Sequence, residues 1–217
     1  MTRWGMVIDL EKCIGCYSCV ISCKNEHFLP PEIWWGRVLI SESGKYPAVT
    51  KEIYPVLCNH CKDAPCVDAC PTGATTRRED GIVVINADEC VGCRYCLIAC
   101  PYQNRSFHDD KKKEFFPGQG LTELEKIGKE LYHHEPGTVI KCNFCTERVD
   151  SGIQRGLKPG VDRDATPACV IACPVKARYF GDLDDPNSEV SVLIKEKKAV
   201  QFHPEFGTDP SVYYIRR

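Results

Sequence analysis

Apolar positions along this chain come in short runs divided by turn chemistry, and no long stretch keeps the 3.6-residue period of an extended amphipathic helix. Met6-Val7-Ile8 predicts a strand. Glu79-Asp80-Gly81 before Ile82-Val83-Val84-Ile85 predicts a tight turn leading into a second strand. Four three-residue segments, Val20-Ile21-Ser22, Val67-Asp68-Ala69, Leu97-Ile98-Ala99 and Val170-Ile171-Ala172, repeat one design of two mostly aliphatic positions and a small one. Each lies between two cysteines, at the length of a single helical turn. Thr122 to His134 reads as an exposed helix. Residues 146–168, punctuated by Gly152, Gly156, Pro159-Gly160 and Pro167, read as an irregular loop. Asp88 is placed like an N-cap or turn former. The pattern predicts an α+β fold.

Sixteen cysteines in 217 residues change the picture, because this approaches the roughly 8–10% that marks disulfide scaffolds. They fall into four groups of four with none left over. Groups one and three share a spacing, Cys13-x2-Cys16-x2-Cys19-x3-Cys23 and Cys90-x2-Cys93-x2-Cys96-x3-Cys100. Group two is Cys58, Cys61, Cys66 and Cys70. Group four opens as Cys142-x2-Cys145 and closes as Cys169-x3-Cys173. Proline follows the last cysteine of groups two, three and four, as Pro71, Pro101 and Pro174. Two, two and three residues with a trailing proline is the bacterial ferredoxin pattern of iron–sulfur ligation.

Two-residue gaps let one tight loop aim three thiolates at three corners of a cubane, with backbone N–H groups facing its sulfides. Gly15 and Gly92, each just before a second cysteine, suit such a loop because glycine tolerates left-handed backbone. The three-residue gap carries the next cysteine one helical turn on, facing a neighbouring cluster, so clusters should come in couples. Four-cysteine zinc sites also use CxxC pairs, but they do not ask for a third cysteine two residues on or for the proline. Disulfides suit an oxidised secreted chain, yet closely spaced triplets give poor disulfide geometry.

The remaining chemistry is sparse. A net charge of −2 offers no basic excess for a phosphate backbone, which argues against nucleic acid as a partner. No run approaches the roughly 18 apolar residues of a membrane span, and Met1 to Met6 reads as neither a signal peptide nor a twin-arginine leader. The expectation is a chain without a direct membrane span and without an address of its own. No nucleotide-binding glycine pattern, P-loop or nucleophile elbow is present, so no catalytic residue is assigned. The six histidines lack metal-like spacing. Lys12, Lys24, Lys62, Arg94 and Lys141, beside cysteines, are candidate tuners of cluster potential or plain solvated cations. Trp34-Trp35 after Pro30-Pro31 reads as an interface patch or a local core wedge. The run Asp109 to Lys113 reads as a solvated face within a long connection, which is either partner-covering or simply exposed.

Leu57-Cys58-Asn59-His60-Cys61, Ala64-Pro65-Cys66, Cys70-Pro71-Thr72-Gly73-Ala74, Lys141-Cys142-Asn143-Phe144-Cys145, Pro167-Ala168-Cys169 and Gly181-Asp182-Leu183-Asp184-Asp185-Pro186 together carry a resemblance. The chain resembles the four-cluster iron–sulfur electron-transfer (beta) subunits of the dimethyl sulfoxide reductase superfamily of molybdenum and tungsten oxidoreductases. Within it the chain looks most like the small subunits of polysulfide, thiosulfate and arsenate reductases and of phenylacetyl-CoA:acceptor oxidoreductase. It departs from the pattern at Lys24, where group one lacks the proline, and at Tyr102-Gln103-Asn104 after group three.

The resemblance implies two bacterial-ferredoxin-like 2x[4Fe-4S] domains with loop insertions. One unit, residues 1–50 and 106–217 with an insertion at about 106–140, would hold groups one and four. The other, residues 51–105, would hold groups two and three. The implied ligand sets are Cys13, Cys16, Cys19 with Cys173; Cys142, Cys145, Cys169 with Cys23; Cys58, Cys61, Cys66 with Cys100; and Cys90, Cys93, Cys96 with Cys70. With Cys93 in place, four [4Fe-4S] clusters are expected. The implied role is non-catalytic electron relay between a large catalytic subunit holding molybdenum or tungsten (Mo/W-bisPGD) and either a membrane-anchor quinone-reactive subunit or a soluble acceptor. The implied place is a membrane-associated complex on the periplasmic face, reached by co-export, with the cytoplasm as the alternative. A free-standing polyferredoxin or a subunit of a hydrogenase or formate-type complex is the competing reading.

Overall fold

A computed structural model describes residues 2–109, 111 and 114–216. The chain opens with β1 (Trp4–Asp9), α1 (Ser18–Glu26), β2 (Gly36–Lys45) and β3 (Ala48–Leu57). It continues with α2 (Pro65–Asp68), β4 (Thr75–Arg77), β5 (Val83–Ile85), α3 (Tyr95–Ala99), β6 (Ser106–His108), α4 (Glu123–Leu131) and β7 (Thr138–Ile140). The last part holds α5 (Thr146–Gln154), α6 (Ala168–Ile171), β8 (Arg178–Asp182), α7 (Glu189–Glu196), β9 (Val200–Gln201) and β10 (Val212–Ile215). Helices and strands are interspersed as an α+β fold requires.

The largest sheet has the order β8-β1-β10-β9, with β1 antiparallel to β8 and parallel to β10. Every residue of β1 is buried, as expected of a strand covered on both faces. Met6 and Ile8 point with Phe180, Val212 and Tyr214 into the main core. Val7 points the other way, with Ile215, against Val190 of α7. Ser188 caps α7, its hydroxyl accepting from the Ser191 N–H at 3.3 Å. Cys23, Cys58, Cys142 and Cys169 belong to the main core itself, so the thiols are packed as part of the interior and not as decoration on it.

The four aliphatic turns between cysteines are helical, lying in α1, α2, α3 and α6. The turn at Glu79-Asp80-Gly81 joins β4 to β5, with Gly81 at φ 82 and the Arg78 N–H on the Ile82 carbonyl at 2.8 Å. The exposed helix expected at 122–134 is α4, which ends at Leu131 and is fixed by a full capping box between Thr122 and Glu125.

One expectation needs correction, and one element was not foreseen. Residues 146–168 are not irregular throughout: α5 occupies Thr146–Gln154 and buries Val149 and Gly152. Gly152 acts there as a contact point, because a methyl group at it would meet Ala165 Cβ at 2.3 Å. Asp88 caps no helix but lies in the turn before Cys90, as its reading as a turn former expects, its N–H donating to Asn86 Oδ1 at 3.1 Å and the Cys90 N–H closing on the Ala87 carbonyl at 3.2 Å. The β2–β3 hairpin, paired from Gly36↔Leu57 to Lys45↔Ala48, was not signalled by the apolar pattern because its outer two-thirds is exposed on both faces. The expected boundary at 50/51 falls inside β3. Trp34-Trp35 divides the two readings given to it: Trp35 is buried 4.5 Å from the His27 ring, while Trp34 stays partly exposed beneath Lys24 Nζ at 4.2 Å. Of the run Asp109 to Lys113, Asp110, Lys112 and Lys113 lie outside the described residues.

Candidate iron–sulfur sites

Each cysteine group follows a strand or turn that delivers it. In group one the Asp9 carboxylate accepts the Glu11 and Lys12 N–H groups at 2.9 and 3.3 Å, turning the chain from β1 so that the Cys13 N–H reaches the Asp9 carbonyl at 3.1 Å. Group two leaves β3, and group four leaves β7. The residue before the second cysteine has positive φ in all four groups: Gly15 at 70, His60 at 44, Gly92 at 64 and Phe144 at 57. One backbone solution therefore serves all four loops. Glycine takes it freely in groups one and three.

In groups two and four the same strained backbone carries large rings, and packing holds them there. His60 and Phe144 are each 1% exposed, their rings tilted 32° to each other with centroids 3.8 Å apart. Phe144 also meets Phe180 edge-on at 5.4 Å, and His60 Nδ1 accepts the Val83 N–H at 3.1 Å. This ring pair is where groups two and four meet.

Across the molecule the thiols act on one another in sets that mix groups. Burial raises the Cys13 thiol, and the Cys19 and Cys173 charges add to it. Burial raises Cys23 well above the ordinary thiol value, helped by Cys142, Cys169 and Cys145. Cys61 is pushed up to about 12 by burial, with Cys58, Cys66 and Cys100 beside it. Cys96 is raised by burial, with Cys90 and Cys70 contributing against the opposing charge of Arg105. Cys142, at about 12 through burial, feels Cys169 and also Cys58, so the group-two and group-four sets adjoin. Ser22 Oγ donates to the Ala168 carbonyl at 3.1 Å, tying the group-one helix to α6 of group four.

Some thiols are held as acceptors. The Ala177 N–H points to Cys173 Sγ at 3.2 Å and the Thr75 N–H to Cys70 Sγ at 3.4 Å. Burial works against the Cys70 thiolate, but the Thr75 N–H and Thr72 hydroxyl outweigh it and bring Cys70 down to about 7. The Ser18 hydroxyl lowers Cys16. Cys16 and Cys93 are the exposed members of the sixteen.

These surroundings fit iron–sulfur clusters. Among the described residues no three His, Cys, Asp or Glu side chains converge on a point that could hold one metal ion. A tetrahedral zinc site needs all its sulfurs about 2.3 Å from one centre. Thiols that feel one another yet stand wider apart suit a cubane, which takes one sulfur per corner. A buried donor points the same way: Arg105 Nη2 has no hydrogen-bond partner although its guanidinium lies among Cys66, Cys58 and Cys96, and the sulfides of a bound cluster would supply the missing acceptor.

Of the expected tuners, Lys141 is buried with its charge beside Cys58, Cys142 and Cys66, Lys24 acts on Cys23 by charge alone, and Lys62 is exposed near Asp209. Lys24 Nζ donates to the carbonyls of Pro30, Pro31 and Ile33 at 2.7–3.1 Å. Lys12 holds the Tyr179 hydroxyl, and Arg94 stacks 3.7 Å from the Phe107 ring centroid. Three residues escaped the sequence reading. His27 Nε2 lies 3.2 Å from Cys145 Sγ, and Arg105 and Arg178 are buried against cysteines. A signal for the arginines existed: both stand five residues after the last cysteine of a group, in Cys-Pro-x3-Arg.

A family profile described as "4Fe-4S dicluster domain" matches residues 49–129, and one described as "4Fe-4S binding domain" matches residues 4–25. The iron–sulfur subunit of the arsenate respiratory reductase of a Shewanella species is 40% identical, over 99% of this chain and 96% of its own length. A selenate reductase subunit of Mesobacillus selenatarsenatis is 38% identical over 98% of this chain and 72% of its own. A sulfite dehydrogenase subunit of Allochromatium vinosum is 36% identical over the whole of this chain and 84% of its own.

Proposed function

The chain belongs to the family of iron–sulfur subunits of dimethyl sulfoxide reductase-type oxidoreductases, relaying electrons through 4Fe-4S clusters, and on that footing we propose that it is a four-cluster wire. The proposed ligand sets are Cys90, Cys93, Cys96 with Cys70; Cys58, Cys61, Cys66 with Cys100; Cys142, Cys145, Cys169 with Cys23; and Cys13, Cys16, Cys19 with Cys173. The clusters stand in that order along the wire. The observation that carries the reading is the chain of mutual thiol influences: Cys96 with Cys70, then Cys61 with Cys58 and Cys100, then Cys58 with Cys142, and finally Cys169 with Cys19. Two ferredoxin-like units, one holding groups one and four and the other groups two and three, are the matching architecture, meeting at the His60–Phe144 pair.

Both ends of this wire open on apolar rims. Ile14, Tyr17 and Ile21 are exposed in the segment that carries exposed Cys16, and Val91, Tyr95 and Ile98, the last 83% exposed, in the segment that carries exposed Cys93. Two such rims favour a subunit clasped between partners over a free-standing carrier. The catalytic partner proposed is a large molybdenum or tungsten subunit, since the curated relatives are named as subunits of reductases and dehydrogenases. A membrane quinone-reactive subunit or a soluble acceptor takes the other end. Among the described residues no helix is long and apolar enough to cross a membrane, so a membrane-associated complex would hold this chain through that partner. The periplasmic face, by co-export, is the proposed side.

The test is an anaerobic affinity isolation of the native chain with iron, molybdenum and tungsten determined on what accompanies it. About sixteen irons per chain, with a large molybdenum- or tungsten-bearing partner, is the expected result. The same iron without a partner would favour the free carrier, and zinc without iron would overturn both.

A further inference from the structure

Cys-Pro-x3-Arg occurs after group three, ending at Arg105, and after group four, ending at Arg178; the same offset holds Thr75 in group two and Phe28 in group one. Each couple of clusters therefore receives one arginine. Both are buried, at 8% and 6% exposure. Arg178 opens β8, and its Nη1 lies 3.7 Å from Cys169 Sγ and 3.4 Å from Met6 Sδ. Its charge is felt by Cys169 of group four and also by Cys13 of group one. Arg105 donates from Nη1 to Thr75 Oγ1 at 3.3 Å, leaves Nη2 unpartnered, and carries its charge beside Cys66 and Cys58 of group two and Cys96 of group three. Where the couples meet, Lys141 is 4% exposed and donates from Nζ to the carbonyls of Val83 and Cys142, with its charge against Cys58, Cys142 and Cys66.

No carboxylate pairs with any of the three among the described residues. Buried cations need counter-charges, and here the thiolate-bound clusters are the anions available. An arginine serves this purpose better than a lysine because its charge is permanent and its donors are spread in a rigid fork.

We propose that Arg105 and Arg178 set the potentials of the wire, each a fixed cation shared by the two clusters of one couple, with Lys141 as the shared cation at the seam. The inference rests on the four-cluster reading. A cluster that gains an electron gains negative charge, so a cation beside it favours the reduced form and raises its potential. Because the cation stands between two clusters it raises both, and an electron hopping from one to the other stays beside the same positive charge. Sharing thus keeps neighbouring potentials level, where a cation beside one cluster alone would build a step into the wire.

The test is an EPR-monitored potentiometric titration of the native complex, with iron counted per chain, for wild type, Arg178→Met, Arg178→Gln, Arg178→Lys, the same three changes at Arg105, and Lys141→Met. In Arg178→Met and Arg178→Gln two of the four clusters should become at least tenfold harder to reduce at fixed potential, about 59 mV for a one-electron couple. The Arg105 variants should move the other two clusters. Lys141→Met should move one from each pair. The lysine variants, which keep the charge, should stay within threefold of wild type. Full iron with unmoved potentials, an equal shift of all four clusters, or lysine variants that shift as far as the methionine ones would overturn the inference. A wild-type chain short of sixteen irons would instead overturn the four-cluster reading on which it rests.

Discussion

Gly92→Ala tests whether the group-three loop depends on a close approach as well as on left-handed backbone. Gly92 sits at φ 64, and a methyl group on it would come 2.1 Å from the Gly137 carbonyl oxygen and 3.1 Å from Phe107 Cε2. Gly137 is in the turn that leads into β7, its N–H fixed on the His108 carbonyl at 2.7 Å, so the oxygen cannot simply swing away. Gly73 is the control: its φ is 73, and nothing lies within 4 Å of a methyl group there. Either alanine suffers the left-handed penalty of about 1–2 kcal/mol. Only Gly92→Ala adds overlap, about 1–3 kcal/mol for an overpacked site. At about 2–4 °C per kcal/mol for a chain of this size, Gly92→Ala should melt about 2–12 °C below Gly73→Ala. Anaerobic thermal unfolding followed by circular dichroism measures the difference, and iron analysis should show the loss confined to Gly92→Ala, at up to about four irons per chain. Equal melting temperatures with equal iron would refute the reasoning, because the loop would then tolerate a methyl group that the geometry forbids.

Other expectations are simpler. Arg78 grips Asp150 with both terminal nitrogens at 2.7 and 2.8 Å, joining the β4–β5 turn to α5, but both side chains are about one-third exposed. Asp150→Asn should therefore cost no more than about 1 kcal/mol, and the cost should shrink in high salt; a larger, salt-insensitive loss in denaturant titration would contradict this. Thr122→Ala removes one half of the α4 capping box and should destabilise that helix by about 1 kcal/mol, seen as faster amide exchange in 123–131 with the β1 amides unchanged. Chelation of iron should abolish the fold's cooperativity, because Cys23, Cys58, Cys142 and Cys169 sit inside the main core and lose the group that holds them there. Retention of a sharp thermal transition in the iron-free chain would count against a structural role for the clusters.

The cysteine spacing made the chemistry legible because ligand loops obey local rules: Gly15 and Gly92 advertise their left-handed backbone in their identity. The same conformation at His60 and Phe144 was hidden, because it is enforced by two rings that approach from sequence positions far apart. Helix α5 was obscured by Gly152, read as a breaker when it is a packing contact with Ala165. The β2–β3 arm was obscured for the opposite reason, its ladder being mostly solvated on both faces and so without a buried side to betray its period. Arg105 and Arg178 carried a sequence offset, but an offset does not reveal that cysteines of two groups lie near each of them.

The nesting of the groups imposes an order on assembly. Groups two and three lie within residues 58–100 and can find each other over a short loop. Group one waits for partners some 120–160 residues downstream, since Cys23 faces Cys142, Cys145 and Cys169, and Cys13 faces Cys173. Strand β1 waits longer still, pairing Met6 with Val212. Contacts of such long range close slowly, and in vectorial synthesis they close last. On the proposed ligand sets the inner couple would therefore receive its iron on a nascent chain, while Cys13, Cys16, Cys19 and Cys23 would stay open to oxidation until β10 has emerged. The first thiols made are the last to be sheltered.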